Sequence, residues 1–188
     1  MLEASEFALC MLISGGQTGV DQAALDAGIA LGIPVGGWCP AGRLSEAGPI
    51  PLHYPLTETT TRQYAARTRM NVRDSDMTLI FTWGPATGGT ALTIRFATAL
   101  FRPVLVLDLK KFSVKAAAKQ LVQWLVERSP TILNVAGPRA SEAPILRLLV
   151  GRILSTALAR AVPPGIAPPW PPPRHSRIRT RTPPLPLS

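Results

Sequence analysis

The chain reads as an α/β domain, a three-layer sandwich with a mainly parallel sheet, and three observations predict it. An apolar strand, a Gly-rich turn and a helix start occur in succession twice. The first set is Met11-Leu12-Ile13 followed by Ser14-Gly15-Gly16-Gln17-Thr18-Gly19; the second is residues 77–83 followed by Gly84-Pro85-Ala86-Thr87-Gly88-Gly89-Thr90. Residues 103–108 form an almost unbroken apolar run, as a parallel strand covered on both faces requires. Strand and helix patterns then alternate along the chain, which places helices on both faces of one sheet.

Residues 1–9 read as a loose leader. The first unit spans residues 10–31, and Gly32-Ile33-Pro34 stops its helix in the Gly-then-Pro manner. Residues 35–39 read as a second short strand, and an irregular Pro/Gly-rich excursion runs on to Pro55. A stretch of that length inside a small domain is expected to serve function or to move. The polar run 57–61 suits helix capping. A helix over 62–72 follows, with Tyr64, Ala65, Thr68 and Val72 able to share a face. Asp74-Ser75-Asp76 ends it ahead of a third strand at 77–82. The second glycine turn opens a helix over 91–100, and a fourth strand occupies 103–108. Residues 115–127 are amphipathic, with Ala118, Leu121, Val122 and Leu125 inward. A fifth strand at 132–136 and a last helix at 143–160, capped by Ser141, complete a domain of residues 1–161. Ten of the 20 prolines lie between Pro163 and Pro186, interleaved with arginine, so residues 162–188 are assigned to a disordered, polyproline-like tail.

Composition narrows the function. With 46% hydrophobic and 16% charged residues, the chain suits one globular domain able to bury a core. No apolar run approaches the ~18 residues of a membrane span. The acidic start, with Glu3 and Glu6, does not resemble a secretory signal, and a cytoplasmic protein is expected. Cys10 and Cys39 read as buried free thiols, and with His53 and His175 isolated there is no zinc signature. The net charge of +9 is uneven: the tail holds four arginines and no acid, and the body holds 16 basic against 11 acidic residues. That mild excess suits a small phosphorylated ligand better than nucleic acid.

Two strand–turn–helix units suggest a split anion cradle, because a helix start offers unsatisfied N–H groups and glycine lets a ligand approach the backbone. Gly15, Gly16, Gln17, Thr18, Gly19, Gly88, Gly89 and Thr90 are the expected contacts. Asp21, in the first helical turn, either complements the dipole or contacts the ligand. Trp38 is either core or a flat ring over a heterocycle at the carboxyl end of its strand. Arg43 is a solvent-facing residue or a bidentate phosphate partner. Thr82, Trp83 and Asn134 are expected to line the pocket. Asn71, Arg73, Asp74 and Asp76 read as caps and turns, with a metal-binding alternative for the carboxylates. No Ser/His/Asp or Cys/His set suggests nucleophilic catalysis, so a binding protein is expected over an enzyme.

Residues 13–21 (ISGGQTGVD), 36–43 (GGWCPAGR), 71–76 (NVRDSD), 87–90 (TGGT) and 133–138 (LNVAGP) together resemble the molybdenum carrier (molybdenum cofactor carrier-like) family. That family is related to a Rossmann-like group containing the lysine-decarboxylase-like nucleotide-processing proteins and DNA-processing protein A. The resemblance covers about residues 10–160. It implies a Rossmann-like fold, a homo-oligomer (dimer or tetramer), and molybdenum cofactor (molybdopterin), a phosphorylated pterin, as a ligand held without chemical change. The nucleotide-processing relatives carry a catalytic Glu after a Pro-Gly-Gly-x-Gly-Thr turn. Here Thr87-Gly88-Gly89-Thr90-Ala91-Leu92-Thr93 has none, which counts against nucleotide hydrolysis. A hydrolase of nucleotide-type ligands using Asp21 or Asp74, and a nucleotide-sensing module signalling through the tail, are the alternatives.

Overall fold

The computed structural model describes residues 7–159, 161–162 and 168–172. Five strands form one sheet: β1 (Met11–Ile13), β2 (Val35–Gly36), β3 (Met77–Thr82), β4 (Val104–Asp108) and β5 (Ile132–Ala136). Five helices connect or follow them: α1 (Val20–Ala30), α2 (Tyr64–Arg73), α3 (Gly88–Ala99), α4 (Val114–Arg128) and α5 (Ile145–Leu158). The predicted α/β sandwich is the observed one. Every neighbouring pair in the sheet is parallel, and the order is β2-β1-β5-β3-β4.

The last of these five strands in sequence therefore lies in the middle of the sheet. Counted from β5 instead of β1, the same order becomes 3-2-1-4-5, the arrangement of a doubly wound nucleotide-binding sheet. Right-handed crossovers then put α1, α4 and α5 on one face and α2 with α3 on the other, as their packing shows. The inner strands β3 and β5 are buried at every residue. Leu12, Leu79, Leu133, Val135, Leu121, Val150 and Leu154 belong to the larger core. No helix among the described residues is long and apolar enough to cross a membrane.

Several sequence expectations change. The supposed leader contributes core: Phe7 and Leu9 are buried, and Phe7–Ala8 pairs in parallel with Ala161–Val162. Residues 35–39 are not one strand. Gly37, with φ 133° and its missing Cβ facing the Ser14 carbonyl, turns the chain out of the sheet, so that Trp38–Cys39 pairs with Thr57–Glu58. That pairing also consumes the polar run expected to cap α2, which begins without a side-chain cap. Nor does Ser141 cap α5, whose N-cap is Pro144. Strand β4 is an edge strand, with Val106 39% exposed, because no strand among the described residues pairs beyond it. Most of the tail lies outside the described residues. In its described part, Trp170 packs on Met11, Ile13 and Ile132 and meets the Trp38 ring at 6.0 Å between centroids.

Candidate anion-binding crevice

Ligands of open α/β sheets sit beyond the carboxyl ends of the strands where neighbouring connections leave to opposite faces. Here that point falls between β5, followed by α5, and β3, followed by α3. The loops after β5 and β3 therefore flank the crevice, and the first glycine turn, after β1, lies beside the β5 loop.

In that first turn the glycines admit the protein itself. A Cβ on Gly15 would collide with the Arg67 guanidinium, one on Gly16 with Leu56 and Ile50, and one on Gly19 with the 138–140 backbone. Gly16 and Gly19 also hold φ of 75° and 80°. Gln17 serves the fold: its Oε1 accepts the N–H groups of Thr18 and Glu46, each at 3.0 Å. The Thr18 hydroxyl donates to Glu46 Oε1 and accepts the Ala140 N–H at 3.1 Å. Asp21 is buried, accepts the Gln17 N–H at 3.2 Å and pairs with Arg67 at 3.1 Å. Burial pushes the Asp21 carboxyl above its ordinary value, and the Arg67 charge opposes that rise.

Glu46 sits at the tip of a hairpin in which Leu44–Ser45 pairs with Gly48–Pro49. Its Oε1 accepts the Ser141 N–H at 3.1 Å, its Oε2 accepts the Ser141 hydroxyl, and Arg139 Nε stands 3.8 Å away. Burial raises the Glu46 pKa, but the hydrogen bonds from Ser141 and Thr18 outweigh it and set the carboxyl below its usual range.

The second turn is open. Gly88 and Gly89 are exposed, and a Cβ on either would meet no atom within 4 Å. Gly88 has φ 49° at the start of α3, and Thr87 provides no side-chain cap. Thr82 and Thr90 are buried. Gly84 donates its N–H to Asp108 Oδ1 at 2.8 Å, and that bond leads the causes holding the Asp108 carboxyl below its ordinary value.

Other predicted residues have structural duties. Arg43 donates to the carbonyls of Ile50, Leu56, Pro51 and Tyr54, so four guanidinium hydrogen bonds are taken by its own loop and no free fork remains for phosphate. Trp38 does not face the crevice. Its Nε1–H donates to Asp74 at 2.8 Å, and its backbone N–H and carbonyl are held by Asn71. Asp74 caps the end of α2 just before β3 begins, at the amino edge of the sheet, so the indole points away from the glycine turns. Asp76 accepts the N–H groups of Thr131 and Ile132, and Asn134 donates to Thr78 across the sheet. Among the described residues no group of three His, Cys, Asp or Glu side chains is placed to hold a metal ion. A groove of about 860 Å³ between α1 and α5, lined in part by Asp26, Arg147 and Leu148, includes no residue of either glycine turn.

Arg67, Glu46 and Arg139 were not singled out from sequence, and Ser141 only as a helix cap. Arg67 left one readable signal: it lies four residues before Asn71 and one before Thr68, on the stripe of α2 that turns inward.

A family model described as circularly permutated YpsA SLOG family matches residues 12–158. Among solved structures, the "Putative molybdenum carrier protein" from Syntrophus aciditrophicus SB superposes with a TM-score of 0.80 at 45% identity, covering 82% of this chain and 98% of that one. No curated protein matches. The permuted strand order explains the family description, since the strand that would open the unpermuted sheet is β5 here. The chain belongs to the circularly permutated YpsA SLOG family.

Proposed function

We propose that the protein binds and carries a small phosphorylated ligand, with molybdenum cofactor or a related phosphorylated pterin as the cargo and no bond made or broken. The supporting observation is the contrast between the two turns. Protein atoms account for the glycines at 15, 16 and 19, whereas Gly88 and Gly89 face empty space at the start of α3. The positive φ of Gly88 favours glycine by itself, but Gly89 has neither a positive φ nor a neighbouring atom among the described residues that would exclude alanine. An oxyanion on the amides of 88–90 supplies the missing reason, since those N–H groups and the helix dipole favour negative charge. The name of the similar Syntrophus protein points to a molybdenum-containing cargo. The donors at the turn fit the phosphate of such a cargo.

Native mass spectrometry of gently purified protein, followed by extraction, oxidation and pterin fluorescence, tests this reading. Near-stoichiometric pterin is expected, and the same spectra read the expected homo-oligomer. Gly89→Ala, which adds a methyl where the ligand would approach, should leave the protein folded and lower the pterin content several-fold. A bound nucleotide, or an empty protein that takes up nucleotides and no pterin, overturns the cofactor assignment.

A further inference from the structure

The Glu46 carboxylate is held as a bound oxyanion would be. Its two oxygens take the Thr18 hydroxyl, the Ser141 N–H and the Ser141 hydroxyl, with the Arg139 guanidinium alongside at 3.8 Å. These donors come from the two loops that meet beside the crevice, after β1 and after β5, and they converge on one point. Glu46 and Ala47, the two residues of the tip, are both exposed as whole residues, but the Glu46 side chain is turned inward and only 19% exposed. We propose that Thr18, Arg139 and Ser141 form an oxyanion-binding site for a phosphorylated ligand, occupied at rest by the Glu46 carboxylate and vacated when the 44–49 hairpin swings out.

This site is distinct from the amides at 88–90 and rests on the reading of the protein as a phosphorylated-ligand binder. Three features make the occupant removable. The hairpin has two-residue strands, too short to be stable alone. Besides the carboxylate, its tip is tied to the body, among the described residues, by one hydrogen bond, from the Glu46 N–H to Gln17. The chain on either side is anchored: Arg43 is fixed by four carbonyls, and Ile50 is buried over Gly16. The hairpin can therefore turn about its base while the rest of the excursion stays in place. The receptor does not depend on Glu46 for its shape, because the Thr18 hydroxyl also accepts the Ala140 N–H, joining the two loops directly. Arg139 has a second partner, Glu142 at 3.2 Å, which positions the guanidinium after the hairpin leaves. A phosphate dianion and the Glu46 carboxylate cannot share the donors, since like charges at that distance repel strongly. Occupancy is therefore exclusive.

Titrating the full ¹⁵N-labelled chain with inorganic phosphate at constant ionic strength tests the site. Glu46→Ala should bind phosphate at least about tenfold more tightly than wild type, because the competing charge is gone. The amides of Ala140 and Ser141 should shift in that variant, and adding Ser141→Ala should abolish the gain. Glu46→Gln, which keeps the side-chain volume without the charge, gives the same reading if complete truncation disturbs folding. Unchanged phosphate affinity in both variants overturns the proposal. So does a gain whose amide shifts are confined to 88–90, an outcome that would leave the carrier reading standing without the Glu46 site.

Discussion

At the scale of single residues, the buried pair Asp21–Arg67 is the most demanding feature of the crevice. Arg67 crosses over Gly15 from α2 to reach a carboxylate on α1, and its Nε is buried with no hydrogen-bond partner among the described residues. Truncating one member of such a pair strands the other charge, whereas removing both charges does not. Arg67→Met should therefore lower unfolding stability by about 3–5 kcal/mol in urea, and Arg67→Met combined with Asp21→Asn by much less. A double variant that loses as much as Arg67→Met and Asp21→Asn added together would mean that the pair is not coupled. Tyr54 supplies a pH prediction. Burial, together with the hydrogen bond it donates to Asp26 at 2.6 Å, pushes its phenol from 10.0 up to about 12. A group whose pKa is raised by folding stabilises fully below its unfolded value and loses that contribution as pH rises through the folded one. The Tyr54 contribution should therefore be intact below pH 10 and disappear between pH 10 and about 12. The stability difference between wild type and Tyr54→Phe, followed across that window, should shrink to nothing.

At the scale of elements, what the sequence disclosed depended on how local the cause was. Strands β3 and β5 were readable to the residue, because unbroken apolar runs bounded by turn residues have local causes. The break at Gly37 was not, since the Ser14 carbonyl that a Cβ there would meet lies just past the end of β1, far away in the chain. The same holds for the site. A Gly-rich turn is visible in sequence, but whether its glycines admit ligand or protein depends on Arg67, Ile50, Leu56 and the 138–140 backbone, all distant in the chain. Glu46 and Ser141 are 95 residues apart, and no periodicity connects them. Arg43 shows how a residue type can mislead: an arginine in a loop near a phosphate turn reads as a phosphate partner, yet it staples the 40–55 excursion from within. Lysine cannot reproduce a four-carbonyl fork. Arg43→Lys should cost about 1–2 kcal/mol and speed limited proteolysis within 40–55, while phosphate-induced shifts at 88–90 persist. Loss of those shifts with the loop still protected would return Arg43 to the binding site.

At the scale of the whole molecule, permutation places the sheet's last strand, β5, at its centre and leaves the chain beyond α5 to find its own cover. Face-to-face packing of helices protects most of the sheet, but the patch formed by Met11, Ile13 and Ile132 with Gly36 is covered by Trp170. A Cβ on Gly36 would come within 3.2 Å of that indole. A boundary at residue 161 treats everything after it as dispensable, while an aromatic ring over three buried apolar side chains predicts the opposite. Ending the chain after Val162 should lower stability by about 2–4 kcal/mol and expose apolar surface to a hydrophobic dye. Trp170→Ala in the full chain should reproduce most of that loss, which separates the ring from the prolines and arginines around it. Truncated protein with an unchanged urea midpoint and no added dye binding would place the domain's end at residue 161 after all. A matching loss in both variants would extend the folded unit to the Trp170 segment.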